Sequence, residues 1–230
     1  MITARRAVWI ILVSVVLTES LASVADASPT SRGDFSEYAG SLVAALKSGD
    51  ADRALDLLEE QGRQYDNAEF AKILVQHCLQ NDSLLIHREA IEQLARMKEP
   101  ASRQFVIEEA KESKRWEIRA QCVRIMARYG GDFVFERLLE GLRDKKWQVR
   151  SSAIRALSQF RRTEAIDALI PLLKKEAGRL QGDIAWTLKE LTGESIEPVF
   201  EDWDGWWRNK RDGYTVPRAA DVRKRLEGEG

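Results

Sequence analysis

The chain has 230 residues, of which 44% are hydrophobic and 32% charged, with 36 Lys and Arg against 37 Asp and Glu. This apolar fraction is large enough for one or two domains with a buried core, which excludes disorder along most of the chain. Two Cys and 14 Gly exclude the disulfide-scaffold and collagen-like classes. A net charge of −1 gives no bulk attraction to nucleic acid or to an anionic membrane, so neither is expected as a partner.

The first 27 residues have the three parts of a secretory signal peptide. Two arginines precede an apolar run of eleven residues, Ala7 to Leu17, and the small-residue motif Ala25-Asp26-Ala27 follows. This order predicts a signal peptide at 1–27, a linker at 28–34, and export to the periplasm or the cell exterior. Eleven helical residues cover about 16 Å of a hydrocarbon layer about 30 Å thick. An uncleaved segment that holds the protein at a membrane is therefore the weaker alternative, and it stays open.

Helical patterns fill the rest of the chain and repeat every 31 or 32 residues. The stretch 118–129 aligns with 149–160 at an offset of 31, and nearly every apolar position keeps its character. The same positions recur one unit earlier at 86–97 and one unit later at 180–191. They follow the spacing i, i+4, i+5, i+8, i+11, which lies on one face of a helix. Equivalent residues in the two central stretches are Trp116 and Trp147, Arg119 and Arg150, Cys122 and Ala153, and Tyr129 and Phe160.

A second amphipathic helix follows each of these first helices, and its apolar positions repeat too, at Val106, Leu138 and Leu169. Two helices of about a dozen residues cannot bury their apolar faces alone, whereas stacked pairs share a continuous core. We therefore predict an all-α fold, a right-handed α-solenoid (superhelix) of about four to five helical-hairpin repeats with terminal capping helices. Pro171 predicts a bend or a helix start within one second helix. An irregular helical bundle is the alternative.

The run from Val149 to Leu157, with Asp144 shortly before it, resembles the short HEAT repeat, the variety also found in phycobilin lyases. The resemblance, to a HEAT-repeat protein of the exported bacterial type, implies HEAT-like repeats over 83–197. An N-terminal capping helix and a degenerate repeat would then occupy 35–82. The outer copies depart from the pattern, with His87 and Gln181 in place of the arginine. The motif is specific for the fold and nearly silent on function.

A tryptophan-rich helix is predicted at 198–211, where Trp203, Trp206 and Trp207 share one face. Because the last repeat of an open solenoid would otherwise expose its core, we expect these three side chains to form a structural cap. The alternative is an aromatic platform for a polysaccharide or the cell wall, which predicts that Trp203, Trp206 or Trp207 is solvent-accessible. Residues 212–230 are typical of a charged tail with a short, frayed helix.

Residues suited to catalysis or metal binding are scarce. His77 and His87 lie ten residues apart, and together with Cys78 they lack a fourth ligand and the usual spacing of a metal site. No P-loop, nucleophile-elbow, zinc-protease or CxxC motif occurs. We therefore predict a protein that is not an enzyme and has no cofactor or metal. Export would allow Cys78 and Cys122 to pair, but both also suit a helical core, and the pairing stays open.

Charge is divided between the two helices of each repeat, with arginines on the first helices and carboxylates on the second. In HEAT stacks the second helices usually line the concave side, so the resemblance implies an acidic groove. We predict an exported scaffold or accessory protein that binds a protein or peptide with a basic surface there. The alternative is ordinary solvated faces, with Arg119, Asp144 and Arg150 forming a ladder that ties neighbouring repeats together. The predicted partner-binding residues are Glu108, Glu112, Glu136, Glu140, Glu164 and Asp167.

Overall fold

The structure is a computed structural model that describes residues 29–228, with side chains from residue 34. The predicted signal peptide at 1–27 lies outside the described residues. Within them the chain forms twelve helices and no strand, and none of these helices is both long and apolar enough to cross a bilayer. The helices are α1 (Pro29–Ser48), α2 (Ala51–Glu60), α3 (Ala68–Ile73), α4 (Leu84–Arg96), α5 (Pro100–Glu112), α6 (Trp116–Ala127), α7 (Asp132–Gly141), α8 (Trp147–Ala156), α9 (Thr163–Leu169), α10 (Arg179–Thr192), α11 (Phe200–Lys210) and α12 (Ala219–Gly228).

Three of these helices continue as turns of different pitch. A π-helical turn, Leu74–Cys78, extends α3, and a 3₁₀ turn, Leu157–Gln159, extends α8. A longer 3₁₀ turn, Ile170–Lys174, extends α9. Pro171 stands at the start of this last turn, where its missing N–H breaks the α-helical hydrogen bonding.

The helices stack in two rows. The first-helix row runs α2, α4, α6, α8, α10 and α12, and each helix in it packs against the one before. In the second-helix row, α3 packs on α5, α5 on α7, and the 3₁₀ end of α9 on α11. The helix α1 packs on both α2 and α3 and covers the N-terminal end. Residues 29–228 therefore form an all-α solenoid of five helix pairs between two end helices.

The core lies between the rows, at the repeating apolar positions. Cys122 and Ala153, which occupy the same small-residue position of successive repeats, are both fully buried. At Ala153 the small size follows from the close approach of α7, because a methyl group built on Gly141 would lie 3.0 Å from the Ala153 Cβ atom. A larger side chain at this position would push α7 away from α8.

Polar side chains set several helix starts. Asn67 Oδ1 accepts a hydrogen bond from the Phe70 N–H at 2.8 Å and caps α3. Glu99 accepts from the Ser102 N–H at 2.6 Å in the same way, with Pro100 opening α5. Gly193 ends α10 with φ of 79°, a left-handed conformation that glycine adopts without steric cost.

The structure corrects the predictions at both ends. Residues 29–34, predicted as a linker, belong to α1, which begins at Pro29. Residues 219–228, predicted as a frayed helix in a charged tail, form α12, which packs on α10 and buries Val222 to 1% exposure. Arg161 fixes the segment before this helix, because its guanidinium donates two hydrogen bonds to the Pro217 carbonyl oxygen at 2.5 and 2.8 Å.

The tryptophan-rich helix α11 is the second helix of the last pair and ends the second-helix row. Trp203 is fully buried and Trp207 is 5% exposed, whereas Trp206 is only partly buried. The Trp207 indole N–H donates to Asp167 Oδ1 at 2.8 Å, which ties α11 to α9. The tryptophans therefore extend the shared core by one more repeat.

Candidate binding surfaces

Arg119 and Asp144 form a two-bond ion pair between α6 and the loop before α8. Arg119 Nε lies 2.8 Å from Asp144 Oδ2, and Nη2 lies 2.9 Å from Oδ1. The remaining Arg119 nitrogen donates to the Ser113 carbonyl oxygen at 2.8 Å. The Arg119 side chain is only 5% exposed, so water has little access to it and its hydrogen bonds are made to other groups of the protein. Burial by itself raises the pKa of Asp144, but the hydrogen bonds from Arg119 and the Lys146 N–H outweigh it and hold this pKa below its usual value.

Arg150 repeats the arrangement one unit later with a different acid. Its Nε and Nη2 donate to the two carboxylate oxygens of Glu176 at 2.9 and 3.0 Å, and its Nη1 donates to the Asp144 carbonyl oxygen at 2.9 Å. At the next position Gln181 replaces arginine, and its side-chain amide donates to the Pro198 carbonyl oxygen at 2.8 Å. Arg119, Asp144 and Arg150 thus contact one another and the neighbouring loops, and their polar atoms are engaged within the protein.

Two of the six predicted partner-binding acids are occupied by contacts inside the chain. Glu140 accepts from Arg137 at 2.7 Å and lies 3.9 Å from Lys111 of α5. Asp167 accepts from the Trp207 indole and from Arg211 at 3.1 Å. Both residues therefore connect neighbouring second helices.

The other four acids, Glu108, Glu112, Glu136 and Glu164, are exposed on α5, α7 and α9. Among the described residues, Glu108 accepts only from Gln104, a neutral amide on its own helix, at 2.9 Å. Glu112 lies 3.8 Å from the adjacent Lys111 with both side chains largely exposed, and such a contact contributes little. Glu136 forms no ion pair with any residue in the described range. The structure thus leaves a row of available carboxylates on successive second helices.

Several arginines in and beside the first-helix row form ion pairs. Arg128 pairs with Glu92 at 3.0 and 3.1 Å, and Arg162 pairs with Asp132. Arg155 lies 3.2 Å from Asp183 and stacks over the Trp186 ring, 4.2 Å from its centroid. Arg124 differs from these three, because it is an exposed cation with no ion-pair partner among residues 34–228, as are Arg53 of α2 and Arg88 of α4.

The two tryptophans at equivalent repeat positions have different environments. Trp116 is partly buried against the core, whereas Trp147 is 43% exposed with the Arg179 guanidinium 5.7 Å from its ring centroid. Trp186, on α10, is also exposed, at 38%. Trp186 and Asp183 were not among the predicted site residues, although the 31-residue offset makes them the repeat equivalents of Arg155 and Ser152.

A second feature that the sequence analysis missed is an open depression of about 950 Å³ between α1, α2 and the start of α3. Phe35, Tyr38 and Tyr65 line it, and these rings pack within 4.6–6.4 Å of one another. Asp34 and Glu37 stand at its rim. Its residues come from three helices with different sequence spacings, so no single periodic pattern marks it.

The two histidines do not form a metal site in the structure. His77 lies on the π-helical turn and His87 on α4, and residues 34–228 contain no group of three or more His, Cys, Asp or Glu side chains placed to hold an ion. His87 Nε2 is buried without a hydrogen-bond partner in the described range.

Both cysteine thiols should resist modification in the folded protein. Cys78 and Cys122 are free and fully buried, and burial raises the pKa of Cys78 to about 12 and also raises that of Cys122. We expect no reaction with Ellman's reagent under native conditions and two thiols per chain after unfolding in guanidinium. An Asn209→Cys variant, which adds an exposed thiol on α11, provides the positive control. Fewer than two thiols in the unfolded chain would mean that the cysteines pair.

One comparison with known proteins identifies the repeats. The family model that describes HEAT repeats matches residues 103–189, from α5 to α10. No curated protein gives a significant match. The matched region contains the central helix pairs and the Arg119–Asp144 contact, and the same packing continues on both sides of it. Residues 103–189 are thus similar to HEAT repeats, within a chain whose described part is all-helical.

Proposed function

We propose that this protein is a non-enzymatic scaffold that holds a basic segment of a partner protein against the acids of the second-helix row. HEAT repeats generally mediate protein–protein interaction, which supports a binding role. The observation that carries the proposal is the row of available carboxylates, Glu108, Glu136 and Glu164, on α5, α7 and α9. Each has a charge that no described cation neutralises at close range.

The spacing of these acids indicates the form of the partner segment. Glu108, Glu136 and Glu164 are 28 residues apart in each step, about one helical turn less than the repeat of 31 or 32 residues. Each acid therefore lies about one turn nearer the start of its helix than the acid before it. Packed helices lie about 8–10 Å apart. A polyproline II segment advances about 9.3 Å in each turn of three residues. A partner segment that crosses the row obliquely, with Lys or Arg at every third position, would therefore bring one cation near each carboxylate.

We place this scaffold outside the cytoplasm. The support is the order of basic residues, apolar run and Ala25-Asp26-Ala27 motif at the start of the chain, which is typical of export. A fusion of residues 1–27 to a reporter enzyme that is active only after export would test this location.

Carbohydrate binding is the alternative, and it needs at least one of Trp203, Trp206 and Trp207 to be accessible. Trp203 and Trp207 are buried against the core, which leaves Trp206 for this role. A stacking platform needs open ring faces, and in this helix only Trp206 retains part of one.

Charge reversal at two available acids tests the scaffold proposal. The Glu136→Lys/Glu164→Lys double variant should weaken binding of a fluorescein-labelled peptide with four Lys-Pro-Pro units at least tenfold, because two attractive contacts become repulsive. Fluorescence anisotropy measures the affinity, and the wild-type affinity should fall as salt screens the charges. Glu136 and Glu164 are chosen because Glu140 and Asp167 have structural partners, whose loss would confuse binding with folding.

A matched control reverses the exposed Glu59 and Glu60 of α2, which lie on the first-helix row. This Glu59→Lys/Glu60→Lys variant has the same net charge as the test variant, so it should bind the peptide like the wild type. Equal loss in both variants would indicate non-specific charge attraction. Unchanged affinity in the test variant would remove the acidic face from the proposal.

A further inference from the structure

The first-helix row contains a polar contact between α8 and α10 that joins three side chains. Arg155 Nη1 lies 3.2 Å from Asp183 Oδ1, and the Ser151 hydroxyl donates to Asp183 Oδ2 at 2.6 Å. Asp183 is 6% exposed, and these two donors supply its carboxylate with partners in place of water. The carboxylate of α10 thus neutralises the cation of α8.

One repeat earlier the cation is present and the carboxylate is missing. An offset of 31 places Arg155 on Arg124 and Asp183 on Ser152, so α6 and α8 have the arginine and a serine. No carboxylate in the described range pairs with Arg124. Desolvation by the surrounding protein lowers the pKa of the Arg124 guanidinium, and no neighbouring anion counteracts it.

A groove of about 350 Å³ opens between α6 and α8 at this position. Arg124 and Ser152 both line it, together with the exposed Trp147 and the partly buried Trp116. Gln148 lines it too, and its side-chain oxygen is buried with no hydrogen-bond partner among the described residues. A buried acceptor without a donor is costly, and a ligand N–H would supply the donor.

We propose that this groove binds an acidic peptide segment, whose Asp or Glu carboxylate takes the place beside Arg124 that Asp183 takes beside Arg155. The Ser152 hydroxyl, which stands at the repeat position of Asp183 itself, donates to the same carboxylate. A backbone N–H of the segment donates to Gln148, and an apolar neighbour packs on the open face of Trp147. The site is separate from the second-helix acids and takes a partner of opposite charge, so it does not depend on the scaffold proposal.

Two substitutions test the site from opposite directions. With fluorescein-labelled hexaglutamate as the probe and the full chain as receptor, Arg124→Ala should reduce affinity at least tenfold by fluorescence anisotropy. Ser152→Asp should reduce it as much, because it adds the carboxylate that the repeat lacks. The buried Asp183 at the equivalent position shows that the fold accommodates this side chain. Ser152→Asp should also raise Tm by about 2–4 °C, the shift expected when a domain of this size gains a contact of ordinary strength.

The controls separate this site from general attraction of anions. Arg88→Ala removes an exposed cation from the neighbouring α4 and should leave affinity within twofold of the wild type. Acetate at millimolar concentration should not displace hexaglutamate, and polygalacturonate should bind more weakly than hexaglutamate. Equal loss with Arg88→Ala, unchanged affinity in Arg124→Ala or Ser152→Asp, displacement by acetate, or tighter binding of polygalacturonate would each overturn the proposal of a peptide site.

Discussion

Asp144→Ala is expected to lower the free energy of unfolding by about 3 kcal/mol, because it leaves the buried Arg119 guanidinium without its countercharge. Two of the three Arg119 nitrogens lose their acceptor, and the 5% exposure of this side chain leaves little access to water. The bond from Arg119 to the Ser113 carbonyl oxygen remains, which places the loss at the lower end of the range for broken buried pairs. Equilibrium unfolding in urea, followed by far-UV circular dichroism, measures it.

Two further variants distinguish a broken pair from a lost contact. The Arg119→Met/Asp144→Ala double variant should recover most of the lost stability, since an apolar side chain of similar length needs no partner. Glu176→Ala should lower the free energy of unfolding by only about 1 kcal/mol, because the side chain of its partner Arg150 is 21% exposed and water can solvate part of the guanidinium. A double variant as unstable as Asp144→Ala alone would contradict the explanation by an unpaired buried charge.

The repetition of the sequence explains how much of the fold could be predicted. A single amphipathic helix gives a weak signal, but the apolar positions Cys122, Ala153 and Ile184 recur at one offset and are all buried. The contact of Arg119 with Asp144 could be anticipated as well, because the resemblance to HEAT repeats includes an acid shortly before the arginine of the following repeat. Where the helical pattern and the repeat agree, the sequence alone predicts which residues are buried.

The ends of the solenoid could not be predicted in this way, because no neighbouring repeat fixes their register. In α12 only Val222 is buried, so the helix looks like a charged tail in the sequence. Its position depends on contacts with distant residues. Arg225 donates to the Thr192 carbonyl oxygen at 3.4 Å, and Arg161 donates to Pro217. Such contacts join residues 33 to 56 positions apart and leave no periodic trace.

The candidate sites were predictable only to the level of a helix face. Periodicity placed Glu136 and Glu140 together on the outside of a second helix, which the structure reproduces. It gave no means of seeing that Arg137 and Lys111 engage Glu140 while Glu136 stays available. Side-chain pairing depends on rotamers and on the neighbouring helix, so only the three-dimensional structure shows which carboxylates have no cation beside them.

Trp203→Ala is expected to lower the free energy of unfolding by about 3–5 kcal/mol, the range measured for removing a large aromatic side chain from a core. Trp203 is the largest fully buried side chain in the described range, and its ring packs edge-on against Trp206 at 5.6 Å. Each repeat of a solenoid contacts only its neighbours, so the loss should be concentrated at the C-terminal end. Hydrogen exchange read by mass spectrometry should show α11 and α12 losing protection before α6 and α8.

Trp186→Ala is the matched control, since it removes the same side chain from a partly exposed position on α10. Its 38% exposure and its stacking with Arg155 predict a loss of about 1 kcal/mol. Iodide should quench the fluorescence of Trp186 and Trp147 and spare that of Trp203, so Trp186→Phe should reduce the quenchable fraction and Trp203→Phe should not. If Trp203→Ala cost no more than Trp186→Ala, or if Trp203 were quenched, the helix α11 would not close the core as described. Its tryptophans would then be open to a ligand.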